Sequence, residues 1–222
     1  MTNVLVVGAS RGIGLEFVRQ YRAANCTVVG TARSDAGLAA ITALGASALR
    51  LDITSAQTAA LQAWPQTNMR FDTAIINAGV YGPRIDAPQA PTQADFDDVM
   101  HTNVLGAMRV LPLLLPLLAP GARLAVLSSR MGSIGLRVSP NGWLYRASKA
   151  ALNSVLKDAS LLVGEQAVCI AFHPGWVRTD MGGAGADLDV TTSVGDMRRT
   201  LGALTPANNG SFFNRDGQPL AW

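Results

Sequence analysis

Short runs of apolar, largely β-branched residues recur along the chain at 3–7, 27–31, 47–51, 72–76, 122–128 and 167–173, with a shorter one at 211–214. They are apolar nearly throughout and do not alternate in polarity, as strands buried on both faces do in a parallel sheet covered by helices. Between them, apolar positions three or four residues apart predict helices at about 12–24, 35–43, 54–63, 97–118, 145–163 and 191–203. This alternation predicts an α/β fold, a doubly wound parallel sheet of about seven strands with helices on both faces.

The chain has 222 residues and 49% apolar content, which suits one domain, 1–222, around one sheet. No Pro/Gly/Ser linker divides it. Eighteen Lys and Arg against fifteen Asp and Glu leave a net charge of +3, but the basic residues are scattered singly. No nucleic-acid or membrane partner is therefore expected. The longest uncharged apolar stretch, Val110 to Ala122, is 13 residues long, holds three prolines and is too short to span a bilayer. A strand beginning at residue 3 leaves no room for a secretory signal, so a cytoplasmic protein is expected. Cys26 and Cys169 lie inside apolar runs and suggest neither a disulfide nor a metal site.

Directly after the first strand comes Gly8-Ala9-Ser10-Arg11-Gly12-Ile13-Gly14, and Leu15, Phe17 and Val18 continue it as an amphipathic helix. Glycines here give backbone angles closed to other residues and let the chain approach a pyrophosphate held at the helix N-terminus. A glycine cluster alone would mean only a tight strand-to-helix connection. Its spacing of glycine, three residues, glycine, one residue, glycine resembles the short-chain dehydrogenase/reductase family. So does the ordered series that follows: Asp52, Asn77-Ala78-Gly79, Asn103, Tyr145-Arg146-Ala147-Ser148-Lys149 and Pro174-Gly175.

The resemblance implies a Rossmann-type domain binding a nicotinamide dinucleotide. The second strand ends in Ala32-Arg33, where NAD-binding folds usually carry a carboxylate for the ribose hydroxyls. A guanidinium there grips a 2'-phosphate, so NADP(H) is expected over NAD(H), with Arg11 as a second basic residue. By resemblance, Gly8, Ser10, Gly12, Ile13 and Gly14 cradle the pyrophosphate, and Asp52 and Ile53 meet the adenine. Asn77, Ala78 and Gly79 shape the sheet beside the cofactor. Pro174, Gly175, Val177 and Thr179 close over the nicotinamide, within a substrate-covering segment at about 176–203.

Tyr145 and Lys149 are four residues apart on one helix, so their side chains share a face. A free phenol with a pKa near 10 is a poor proton shuttle, and a neighbouring ammonium should bring it toward the working range. On most helices such a pair is only a solvated face. By resemblance Tyr145 transfers the proton of a carbonyl or alcohol, and Lys149 also binds the nicotinamide ribose. Ser129 hydrogen-bonds the same substrate oxygen, with Gly132 marking it, and Asn103 interrupts its helix and holds a water that links Lys149 to solvent. Ser128 and Ser133 compete for the serine role. The stretch from Ser129 to Tyr145 is longer than the family's commonest pattern, which predicts a loop around residues 138–142 over the site. His173 and His101 are read as structural.

The tail, together with the Tyr145 motif, resembles the C-factor and sniffer-like carbonyl reductase branch. This implies an oxidoreductase acting on a small carbonyl or alcohol, with an apolar pocket drawn from Leu136, Val138, Trp143, Trp176, Met181 and Leu188. Family members commonly pair through the helices at about 97–118 and 145–163, implying a homodimer or homotetramer. The rival reading is an idle NADP(H)-binding regulator of the same fold.

Overall fold

A computed structural model describes residues 2–55, 69–84 and 89–222. Seven strands form one sheet: β1 (Asn3–Val7), β2 (Thr27–Ala32), β3 (Ser47–Arg50), β4 (Phe71–Ile76), β5 (Leu118–Leu127), β6 (Ala167–His173) and β7 (Ser211–Asn214). Their order is β3-β2-β1-β4-β5-β6-β7, and every neighbouring pair is parallel. Among the described residues six α-helices accompany them: α1 (Gly12–Ala23), α2 (Asp35–Ala43), α3 (Gln93–Met100), α4 (Gly106–Leu114), α5 (Trp143–Val163) and α6 (Val190–Ala203).

The unbroken apolarity of the strands has a direct cause. Leu5 and Val7 of β1 join a core with Val110 and Leu114 of α4 and Leu152 and Leu156 of α5. Val4 and Val6 join a second core with Phe17 and Val18 of α1, Ile41 of α2 and Met197 and Leu201 of α6. Successive side chains of one strand thus enter different cores, and neither face has room for polar groups. The doubly wound sheet expected from the sequence is present.

Two elements differ from expectation. The helix expected at 97–118 is a helical stretch of four parts: α3, a π-helical turn at His101–Leu105, α4 and a 3-10 turn at Leu115–Leu117. On length and composition Gln93–Leu117 is apolar enough to cross a membrane; here Val99, Val110, Leu111, Leu114 and Leu117 are buried. Strand β5 starts at Leu118, earlier than expected, because Phe71 pairs with Leu118 before the register shifts to Thr73 and Arg123. The helix expected at 54–63 lies outside the described residues beyond Ser55.

The chain winds one way from β1 through β2 to β3, then returns to build outward from β4. At that reversal the helices after β1 and β4 pack in different cores, which places a crevice at the C-terminal ends of the strands. Both sequence motifs of small residues, at 8–14 and 77–79, fall there.

Candidate active site

The turn after β1 is anchored from its neighbour, since Gly8 N donates to the Thr31 hydroxyl at 3.0 Å and Ala9 N to the Thr31 carbonyl at 2.7 Å. Gly8 has φ +83, and a Cβ there would stand 2.7 Å from that of Ala78. A Cβ on Gly14 would collide with the Gly8 carbonyl and stand 2.6 Å from Asn77 Nδ2. Asn77 Nδ2 donates to the Gly8 carbonyl at 2.6 Å, so the Asn77 side chain laces the two loops together. The first turn of α1 carries no acidic residue, leaving its amide groups and positive dipole end for an anion. This cradle fits a dinucleotide pyrophosphate.

Arg33 is exposed, and its guanidinium has no hydrogen-bond or ion-pair partner among the described residues. Asp52, near Arg33, accepts from the Thr54 amide at 2.9 Å and hydroxyl at 2.7 Å, and these bonds hold its carboxyl below the usual range. Ile53 is buried against Gly106. Arg11 is engaged: it forms a 2.7 Å ion pair with Asp180, both side chains more than 70% exposed (77% and 73%). Such a pair contributes little in water. The segment after β6 reaches the glycine turn here, for a Cβ on Gly12 would lie 3.4 Å from Thr179. The Thr179 hydroxyl accepts from Gly182 N at 3.2 Å, buried Val177 bridges to Leu188, and Gly175, after Pro174, turns with φ +88.

Tyr145, Ser129 and Lys149 meet where β5 ends. Ser129 caps a 3-10 turn, accepting from Met131 N at 3.1 Å, and its hydroxyl acts on the Tyr145 phenol, favouring the ionised form. Gly132 lets this turn press on α5, since a Cβ there would stand 2.8 Å from the backbone carbon of Lys149. The Lys149 ammonium is buried and donates to the Leu127 carbonyl at 2.8 Å. It lies 5.7 Å from the centre of the Tyr145 ring.

The acidities run against the simplest expectation. Burial pushes Tyr145 up to about 12, against the opposing hydrogen bond from Ser129. Burial also brings Lys149 down to about 8. Desolvation dominates at both groups, so the chain by itself holds Tyr145 as a neutral phenol.

The other serines are engaged elsewhere. Ser128 donates to the Lys149 carbonyl at 3.5 Å. The Ser133 hydroxyl reaches the Ala221 and Trp222 carbonyls at 2.7 and 3.1 Å and accepts from Leu136 N at 3.0 Å. Asn103 sits in the π-helical turn, which is the interruption expected there. Its side chain grips Val80, accepting from N and donating to O at 2.8 Å each, and donates to the Ser148 hydroxyl at 2.9 Å. His173 is lowered to about 4 by burial and by Arg130 and Arg215, which makes it a neutral ring at working pH.

Residues 133–142 form the irregular stretch expected there, with Val138 98% exposed. Trp143, Trp176 and Met181 are each at least 40% exposed on the same side of the sheet, while Leu136 and Leu188 are partly buried. A cavity of about 430 Å³ lined by Tyr21, Thr73, Arg123 and Arg198 opens at the strands' other end, away from Tyr145. Polar convergence, not cavity size, marks the site. No sequence pattern points to Tyr81, which stacks on Tyr145 with ring centres 4.5 Å apart.

A doubly wound sheet with a glycine cradle at its reversal point, facing a serine, a tyrosine and a buried lysine, defines a dinucleotide-dependent oxidoreductase. The family described as short chain dehydrogenase matches residues 2–187, and this chain belongs to it. The C-signal protein of Myxococcus xanthus is 40% identical over 157 residues, 68% of this chain and 92% of that protein. The solved carbonyl reductase of Pseudomonas aeruginosa PAO1 in complex with NADP is 32% identical, with a TM-score of 0.87 and 100% of both chains covered. Carbonyl reductase Sniffer of D. melanogaster is 29% identical, with a TM-score of 0.86 and again 100% of both chains covered.

Proposed function

We propose that the protein is an NADP(H)-dependent carbonyl reductase acting on small apolar carbonyls or the matching alcohols. The observation that carries the reading is the meeting of Ser129, Tyr145 and Lys149 at the end of β5, across the crevice from the glycine cradle. Residues 8–14, 52–53, 77–79 and 174–179 would hold a nicotinamide dinucleotide, which would supply or accept the hydride. The chain handles the proton. Tyr145 donates it to the carbonyl oxygen in reduction and removes it from the hydroxyl in oxidation, while Ser129 gives that oxygen a second fixed hydrogen bond where charge develops. Lys149 presents its ammonium on the same helix face and binds the ribose, and Asn103 holds the Val80 turn beside them.

Arg33 supports NADP(H) over NAD(H), since a free guanidinium at the end of β2 suits a phosphate and repels nothing there. In Arg33→Asp the dissociation constant for NADPH, followed by tryptophan fluorescence, should rise about 10- to 100-fold while that for NADH falls. Unchanged preference would refute the assignment.

The two serines separate cleanly. Ser129→Ala should cost turnover about 10²-fold with little change in melting. Ser133→Ala should instead cost about 1–3 kcal/mol of stability by orphaning the carbonyls it holds, with turnover of the folded protein kept; the reverse pattern would exchange their roles. Exposed Val138, Trp143, Trp176 and Met181 support an apolar substrate. Exposed Phe96 and Met108 on α3 and α4, with Leu161 and Leu162 on α5, support self-association through those helices as a dimer or tetramer. A cytoplasmic setting suits two unpaired cysteines.

A further inference from the structure

Three groups meet at the side chain of Tyr81, which stands on a turn held from elsewhere in the chain. Asn103 fixes both backbone groups of Val80, at 2.8 Å each. Gly82 follows with φ +77 and no room for a side chain, since its Cβ would run into Val99. Tyr81 therefore rides on a pinned turn. Its ring stacks on Tyr145 at 4.5 Å between centres and 26° between planes. The Arg84 guanidinium lies over the Tyr81 ring, 5.1 Å from its centre, and donates to the Met181 carbonyl at 2.8 Å. The Tyr81 hydroxyl abuts Gly142, the N-cap of α5, where a Cβ would come within 2.8 Å of it.

A phenol that must meet a substrate oxygen within a few tenths of an ångström needs its ring plane fixed. Ser129 acts at the end of the side chain, and the Lys149 ammonium lies 5.7 Å from the ring centre, so the closest packing on the ring is the Tyr81 stack at 4.5 Å. We propose that Tyr81 is a positioning residue whose ring clamps Tyr145, and that Arg84 ties this clamp to the segment 176–188, so that proton transfer and the seating of that segment are set together. The inference rests on Tyr145 as the proton donor. Stacking also keeps water off the Tyr145 ring, which adds to the burial that pushes its phenol up.

The chain has three tyrosines, Tyr21, Tyr81 and Tyr145, so phenolate formation can be read directly. Tyr81→Phe and Tyr81→Leu both remove one phenol and leave the same two, but only Phe keeps the stack. In ultraviolet difference titrations without cofactor, the Leu variant should begin to ionise at lower pH than the Phe variant, with Arg84→Ala displaced the same way from wild type. In NADPH-dependent reduction of an aryl aldehyde, kcat should fall about tenfold in Leu and return in Phe.

Coinciding Phe and Leu titrations would overturn the clamp. A rise in KM for the aldehyde alone would also overturn it, since a mere pocket wall does that. An unmoved Arg84→Ala would overturn the tie to 176–188. Separated titrations in a wild-type protein that turns over no carbonyl would uphold the clamp and refute Tyr145 as donor.

Discussion

Tyr145→Phe should lose carbonyl reduction by about 10²- to 10⁴-fold, the usual contribution of a placed general acid, while folding and binding NADPH as wild type does. The substitution removes one oxygen and leaves the ring that stacks on Tyr81, so packing is nearly conserved. The pH dependence carries the same assignment. Because burial pushes Tyr145 up to about 12, the donor stays protonated through the neutral range, and reduction should not lose its acid there. Oxidation needs the phenolate, so its rate should climb as pH rises. Steady-state rates in both directions over pH test this, and a Phe variant within about fivefold of wild type would remove Tyr145 from the proton step.

The fold was legible because a strand buried on both faces has one sequence solution. Val4, Leu5, Val6 and Val7 enter two cores in turn, which leaves no place for a polar residue and makes the strand plain. The cradle was legible for a related reason: Gly8 and Gly14 stand where any Cβ collides, so composition records geometry. The break at Asn103 was legible only through family resemblance, since a π-helical turn has no local pattern. The Arg11–Asp180 ion pair and the stacking of Tyr81 on Tyr145 were not legible. Asp180 lies 169 positions from Arg11, and Tyr81 reaches Tyr145 from another loop; contacts of that range follow from how the sheet brings loops together, which periodicity does not encode.

Lys149→Met should make the protein more stable at neutral pH while ending its activity. Lys149 is buried with one hydrogen bond, to the Leu127 carbonyl, and burial lowers it from 10.5 to about 8. The lowered value belongs to the folded state, so between about 8 and 10.5 the unfolded chain binds more protons and stability rises with pH. Below about 8 both states are charged and the full penalty applies; a difference of this size corresponds to about 3 kcal/mol. A methionine of similar length escapes it, at the expense of the Leu127 bond, worth about 1 kcal/mol. Urea unfolding should therefore find Lys149→Met ahead by about 1–3 kcal/mol at pH 7, with the gap closing as pH rises toward 10.5, where wild-type Lys149 buries a neutral amine. A variant less stable than wild type at pH 7 would mean that the Leu127 bond outweighs the buried charge. The expected sign gives the ammonium no part in holding the fold, and its presence there then answers to the phenol one helical turn away.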